Sequence, residues 1–105
     1  MTCVKFLLKN ERLIGFEIKG HSSNDCDDLE GKIVCSAVSS AAYMTANTIT
    51  EIIGNECDVT VRDALMQLRV ISPNQETDVV LNGLKLHLTE LSKQYSKRIK
   101  ITTEV

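Results

Sequence analysis

The sequence predicts an α+β domain: a two-layer sandwich with two helices packed on a mostly antiparallel sheet, in the order ββαββαβ. Three observations carry this. Two apolar runs of period two open the chain, a long stretch of three- and four-residue apolar steps follows, and a second strand pair, helix and short strand complete it. The 105 residues suit one domain, 1–105, since a chain of this size buries roughly 65% of its unfolded surface and leaves little for a second core.

Val4, Phe6 and Leu8 alternate with Cys3, Lys5 and Leu7, and Ile14, Phe16 and Ile18 alternate with Gly15, Glu17 and Lys19. Joined at Asn10-Glu11, these strands form an antiparallel hairpin that delivers Gly20-His21 at its end. Ser22 to Gly31 has no periodicity and is rich in Ser, Asn and Asp, which predicts a loop. From about Ile33 to Ile53 the period is helical, with Val34, Val38, Ala41, Ala42, Thr45, Ile49, Ile52 and Ile53 at three- and four-residue steps. Gly54-Asn55 stops this helix. Cys57 to Val61 and Leu65 to Ile71 read as strands around Arg62-Asp63-Ala64. Ser72-Pro73-Asn74-Gln75 predicts the next helix opening, with serine as the cap and proline in the first turn. Val80, Leu84, Leu88, Leu91 and Tyr95 share one face of that helix. Lys93, Lys97 and Arg98 stand at its last turn and exit, beside the negative end of its dipole. Ile99 and Ile101 around Lys100 predict a short last strand.

Composition excludes several classes of function. With 43% hydrophobic residues the chain is not disordered. Aromatics at 4%, no tryptophan and a net charge of −2 argue against direct nucleic-acid binding, while a basic peptide partner is electrostatically acceptable. No segment approaches the roughly 18 apolar residues that span a membrane. Met1 to Lys9 is too short for a secretory signal, so a cytoplasmic setting is expected. There the four cysteines Cys3, Cys26, Cys35 and Cys57, which show no C-x-x-C spacing, are expected to be reduced. A zinc set of His21, Cys26, Cys35 and Cys57 has irregular spacing, and a Cys26–Cys35 redox pair lacks the usual motif, so neither a metal nor another cofactor is expected.

His21 and Cys35 carry the chemistry. They stand fourteen positions apart, and Cys35 follows Gly31-Lys32-Ile33-Val34, where turn chemistry gives way to the small residues of the helix. A thiol at a helix opening has its thiolate stabilised by unpaired backbone N–H groups and the helix dipole, and those amides also suit an oxyanion hole. A neighbouring imidazole accepts the thiol proton and returns it to a leaving amine. Gly20 permits a close approach or an unusual backbone angle before the histidine. Ser36 is among the small residues after the cysteine. Ser39 lies one turn beyond Cys35 on the same face, where its hydroxyl either meets the thiolate or a substrate carbonyl or bonds back to the carbonyl of residue 35. Asp28 and Glu30, with Asp25 and Asp27, are either a solvated loop or acids that orient the imidazole and attract a basic peptide. Lys32 offsets their charge near the thiol. The competing readings are plain ones: Cys35 as an apolar filler on a helix face, and His21 as a polar strand end. His87, the other imidazole, reads as a surface or half-buried residue of the second helix.

The run Gly20-His21, acidic loop, Gly31-x-Ile33-Val34-Cys35, three small residues and Ser39 resembles the ribosomal-processing cysteine proteases of certain bacteria. The resemblance implies a cytosolic endopeptidase that removes an N-terminal extension from large-subunit ribosomal protein twenty-seven, with Cys35 as nucleophile and His21 as base. It implies an apolar, phenylalanine-containing tail as substrate, and a homodimer. Two departures stand out: Lys32 occupies the place where the family has aspartate, and the loop between histidine and cysteine is about two residues longer, a change loops tolerate. These departures are what favour the alternative, a non-catalytic ribosome-associated binding or assembly module of the same fold.

Overall fold

The computed structural model describes residues 1–21 and 28–105. The alternating apolar runs become strands β1 (Thr2–Lys9) and β2 (Arg12–Lys19), joined by a two-residue turn with Asn10 at φ 53° and Glu11 at φ 64°. Positive φ at both turn residues matches the right-handed twist of the strands on either side. Helix α1 (Leu29–Asn47) runs into a wider π-helical turn (Thr48–Ile53). Strands β3 (Cys57–Arg62) and β4 (Leu65–Val70), helix α2 (Gln75–Gln94) and strand β5 (Ile99–Glu104) follow, which is the expected ββαββαβ order. The five strands form one sheet in the order β3-β4-β2-β1-β5, antiparallel throughout except for β1 beside β5.

One face of the sheet is apolar because the registers align like with like. Val4 lies opposite Ile18, Phe6 opposite Phe16, and Phe16 in turn opposite Leu68. These side chains pack with Val34, Val38, Ala42 and Ile49 of the first helical segment and with Leu81, Leu84 and Leu88 of α2 in a single core. The other face carries charge: Lys5 pairs with Glu104 at 3.1 Å, and Glu17 accepts a hydrogen bond from Gln67 at 2.7 Å. No described helix is long and apolar enough to cross a membrane.

Three local expectations are corrected. Helix α1 begins at Leu29, not near Ile33, because the Asp28 side chain caps it by accepting from the Gly31 amide at 3.0 Å. Gly31 is buried inside the first turn, so a residue that reads as a turn former is there a small packing residue. Ser72 is not the cap of α2. Asn74 is, with a reciprocal pair in which the Thr77 amide donates to Asn74 Oδ1 and the Asn74 amide donates to Thr77 Oγ1, both at 2.9 Å. Ile52 is 81% exposed although Ile49 is fully buried. The wider winding of the π-helical turn rotates Ile52 off the face that a regular helix would give it. The expected stop at Gly54 stands, at φ 77°.

Gly15 on β2 faces the β4 backbone so closely that a Cβ there would lie 2.0 Å from the Leu68 carbonyl oxygen. Replacing Gly15 with alanine is therefore expected to cost at least about 1–3 kcal/mol. Thermal unfolding should show Tm falling by roughly 4–8 °C for each kcal/mol.

Candidate active site

The sheet-facing stripe of α1 is Val34, Val38 and Ala42, all buried. One residue further round the helix from each of these stand Cys35, Ser39 and Tyr43, which share a flank because residues four apart lie one above the other. That flank forms one wall of a cavity of about 160 Å³. The opposite wall comes from the end of β2, as Gly20 and His21, and from the β3–β4 corner, as Val61, Arg62 and Ala64. Ile18, Val38, Leu65 and Met66 supply apolar lining, with Thr2 of β1 beside them.

The backbone at the imidazole is tied from both sides. The Gly20 amide donates to the Ala64 carbonyl at 2.9 Å, and the Met1 nitrogen donates to the His21 carbonyl at 2.7 Å. Gly20 itself has φ 89°, and a Cβ there would sit 2.4 Å from the Met1 carbonyl oxygen. Glycine meets both demands, so it turns the chain as β2 ends and sets His21 at the cavity wall.

The structure thus brings Cys35, His21, Gly20 and Ser39 to one cavity. Ser36 and Lys32 are exposed and lie outside its lining. Asp28 and Glu30 lie beyond it as well, on Arg98: its Nη1 is 2.7 Å from Asp28 Oδ2 and its Nε 3.7 Å from Glu30 Oε1. Asp25, Asp27 and Cys26 lie outside the described residues. His87 is exposed on α2, in a groove between the two helices. Among the described residues no three His, Cys, Asp or Glu side chains converge as a metal ion would require.

The expected thiol at a helix opening is corrected. Cys35 is the seventh residue of α1, about 9 Å along the axis from its first. The dipole effect falls off within the first turn, and the open amides belong to Leu29, Glu30 and Gly31, the last already capped by Asp28. Neither the dipole nor those amides reach the sulfur.

Ser39 lines the cavity. Thr45, Thr48 and Thr50 each donate to the carbonyl four residues back, at 2.7–3.0 Å. The Ser39 hydroxyl makes no such bond among the described residues. It is exposed and lines the cavity.

Sequence reasoning missed Tyr43, Arg62 and Arg98. Tyr43 was within reach, eight residues beyond Cys35 and therefore on its face. Arg62 carries no local signal. Arg98 was assigned to the α2 dipole, but its side chain reaches the first turn of α1, a contact 70 residues away in sequence. The hydrogen bond to Asp28 above all, and then the charges of Asp28, Glu30 and Cys35, hold Arg98 protonated beyond its ordinary value, against partial desolvation.

A model of one family, the cysteine protease Prp, matches residues 1–100. The chain belongs to the cysteine protease Prp family. Its fold is that of the essential ribosomal processing protease Prp from Staphylococcus aureus. The crystal structure of that protease with a substrate peptide aligns at a TM-score of 0.88 and 18% identity, covering 99% of this chain and 100% of that one. The structure with a covalently linked product peptide gives a TM-score of 0.86, again at 18% identity, 99% and 100%. SMU.848 from Streptococcus mutans aligns at 0.84 and 19% identity over 99% of both chains. At these identities the likeness establishes the Prp fold. No curated protein matches the chain by sequence.

Gly20→Ala should cost about 1–3 kcal/mol, because the new methyl group meets both a strained backbone angle and the Met1 carbonyl. Thermal unfolding of the purified variant checks this, and an unchanged Tm would contradict the tie described here.

Proposed function

We propose that this protein is an endopeptidase that trims the N-terminal extension of large-subunit ribosomal protein twenty-seven, with Cys35 as nucleophile and His21 as general base and acid. The observation that carries the reading is the shared cavity. In a chain of a cysteine protease family, a helix thiol and a strand-end imidazole fourteen positions before it line the same small space. The Staphylococcus aureus protease is seen in crystals with a substrate peptide and with a covalently linked product peptide, which supports a peptide as the ligand of this fold.

The reaction follows from the residues present. His21 takes the Cys35 proton, and the sulfur attacks the scissile carbonyl carbon. The carbonyl oxygen gains negative charge, and the Ser39 hydroxyl, on the sulfur's flank of α1 one turn further on, donates a hydrogen bond to it. His21 returns its proton to the leaving amine as the C–N bond breaks, leaving a thioester on Cys35. A water molecule, deprotonated by His21, attacks the thioester and restores the thiol as the new carboxyl group departs.

The cavity suits an extended, apolar tail. Its lining of Ile18, Val38, Leu65 and Met66 takes an uncharged side chain. Next to it β3 is the edge of the sheet, with Val59 and Val61 about half exposed. A strand edge offers backbone hydrogen bonds to an extended peptide, and the two valines offer an apolar shelf. The reading includes a cytoplasmic setting and a homodimer, for which the apolar groove between α1 and α2 beside exposed Met44 is a suitable surface. The rival, a non-catalytic ribosome-associated module, is not favoured: the Lys32 departure lies outside the cavity and leaves thiol and imidazole together.

A peptide carrying the extended tail should be cleaved once, at one bond. Cys35→Ala should abolish turnover, His21→Ala should lower it by at least about 100-fold, and the double variant should be no worse than Cys35→Ala, as befits groups acting together. Equal cleavage by parent and Cys35→Ala would refute the assignment. A small thiol alkylator should label Cys35 fastest of the four cysteines near neutral pH. Cys57 should lag, since burial above all, and then the Asp58 charge, push its thiol up and leave it less ionised.

A further inference from the structure

The cavity joins two separately held parts, the strand end bearing His21 and the helix bearing Cys35, and a continuous set of bonds links them. On the strand side, the Met1 nitrogen holds the His21 carbonyl at 2.7 Å. The next residue, Thr2, lines the cavity and donates its amide to the Arg98 carbonyl at 2.8 Å. On the helix side, the Arg98 guanidinium meets Asp28 Oδ2 at 2.7 Å, while Asp28 Oδ1 caps the Gly31 amide at 3.0 Å and the Asp28 carbonyl takes the Lys32 amide at 3.1 Å. Arg98 therefore grips β1 with its backbone and the start of α1 with its side chain.

We propose that Arg98 is the positioning residue of the site: through Asp28 it locks the first turns of α1, and so Cys35, against the N-terminal strand that holds His21. This rests on the protease reading for its purpose, but not for its geometry.

Three features suit Arg98 to the task. The pair is largely withdrawn from water, with side chains 22% and 12% exposed, so it is screened less than a surface ion pair. Its corner is rigid, because the Arg98 amide donates to the Tyr95 carbonyl at 2.9 Å and the next residue, Ile99, is buried in β5. Its charge also counts, because the acids it meets stand at the start of the helix that carries Cys35. Asp28 and Glu30, which would otherwise oppose a thiolate, are partly neutralised by the same group.

The test uses the full chain with Arg98→Met, Arg98→Lys and Asp28→Asn. Asparagine caps a helix about as well as aspartate, so Asp28→Asn keeps the start of α1 while cutting the ion pair. With a cleavable tail peptide, Arg98→Met and Asp28→Asn should lower kcat by about 100-fold with KM within about twofold, as a misplaced nucleophile does. Arg98→Lys, which keeps the charge, should recover part of the loss. Independently of any cleavage, alkylation of Cys35 in Arg98→Met should be about tenfold slower near neutral pH, as Asp28 and Glu30 lose their counter-charge. Folded Arg98→Met with unchanged kcat and an unchanged alkylation rate would overturn the proposal. If the parent cleaves no tail peptide while the alkylation rate still follows Arg98, the protease reading falls and the clamp stands.

Discussion

The rotation of α1 about its own axis is the constraint on which the site depends. Val34, Val38 and Ala42 sit against the sheet with almost no exposure, and Ile49 continues the stripe into the π-helical turn. Burying these side chains in one core leaves the helix a single orientation, because each step along the chain turns it by about 100°. The residues that follow the stripe, Cys35, Ser39 and Tyr43, then face the strand end that carries His21. Ala37, Ala41 and Met44 turn the other way, toward the groove beside α2. A register error of one residue would exchange these flanks and take the thiol out of the cavity.

Rotation alone does not bring Cys35 and His21 to one cavity, and the rest comes from backbone ties at the open end of the sheet. Gly20 gives up its side chain so that the Met1 carbonyl can approach, and Met1 in turn holds His21. The cavity bordered by these ties measures about 160 Å³. A space of that size admits a side chain, and Ile18, Val38, Leu65 and Met66 give it apolar walls.

What was legible in the sequence was whatever burial imprints locally. The alternation of Val4-Phe6 and Phe16-Ile18 and the spacing of Val34, Val38 and Ala42 report the faces that meet, so the order of elements along the chain and the two-layer architecture could be read directly, whereas the arrangement β3-β4-β2-β1-β5 within the sheet could not. Helix boundaries were harder. Asp28 to Gly31 has the composition of a loop, and its helical state follows from a cap and an ion pair with a residue 70 positions away, which no local window contains. Ile52 was misplaced because a π-helical turn breaks the very period being read. Of the residues at the site, His21, Cys35, Gly20 and Ser39 lie within a run of twenty and carry the family pattern. Tyr43 follows from helical spacing, while Arg62 and Arg98 come from distant elements and leave no trace in any window.

The account stands on Cys35 and His21, which line one cavity, acting as a pair. Alkylation of Cys35 near neutral pH, in the parent protein and in His21→Ala, tests it most directly. Losing the imidazole should slow labelling by about tenfold or more, because the thiol loses its base, while His87→Ala, at an exposed position of α2, should leave the rate as it was. A labelling rate indifferent to His21 would show that the two groups do not act together, and the proposed dyad would fall.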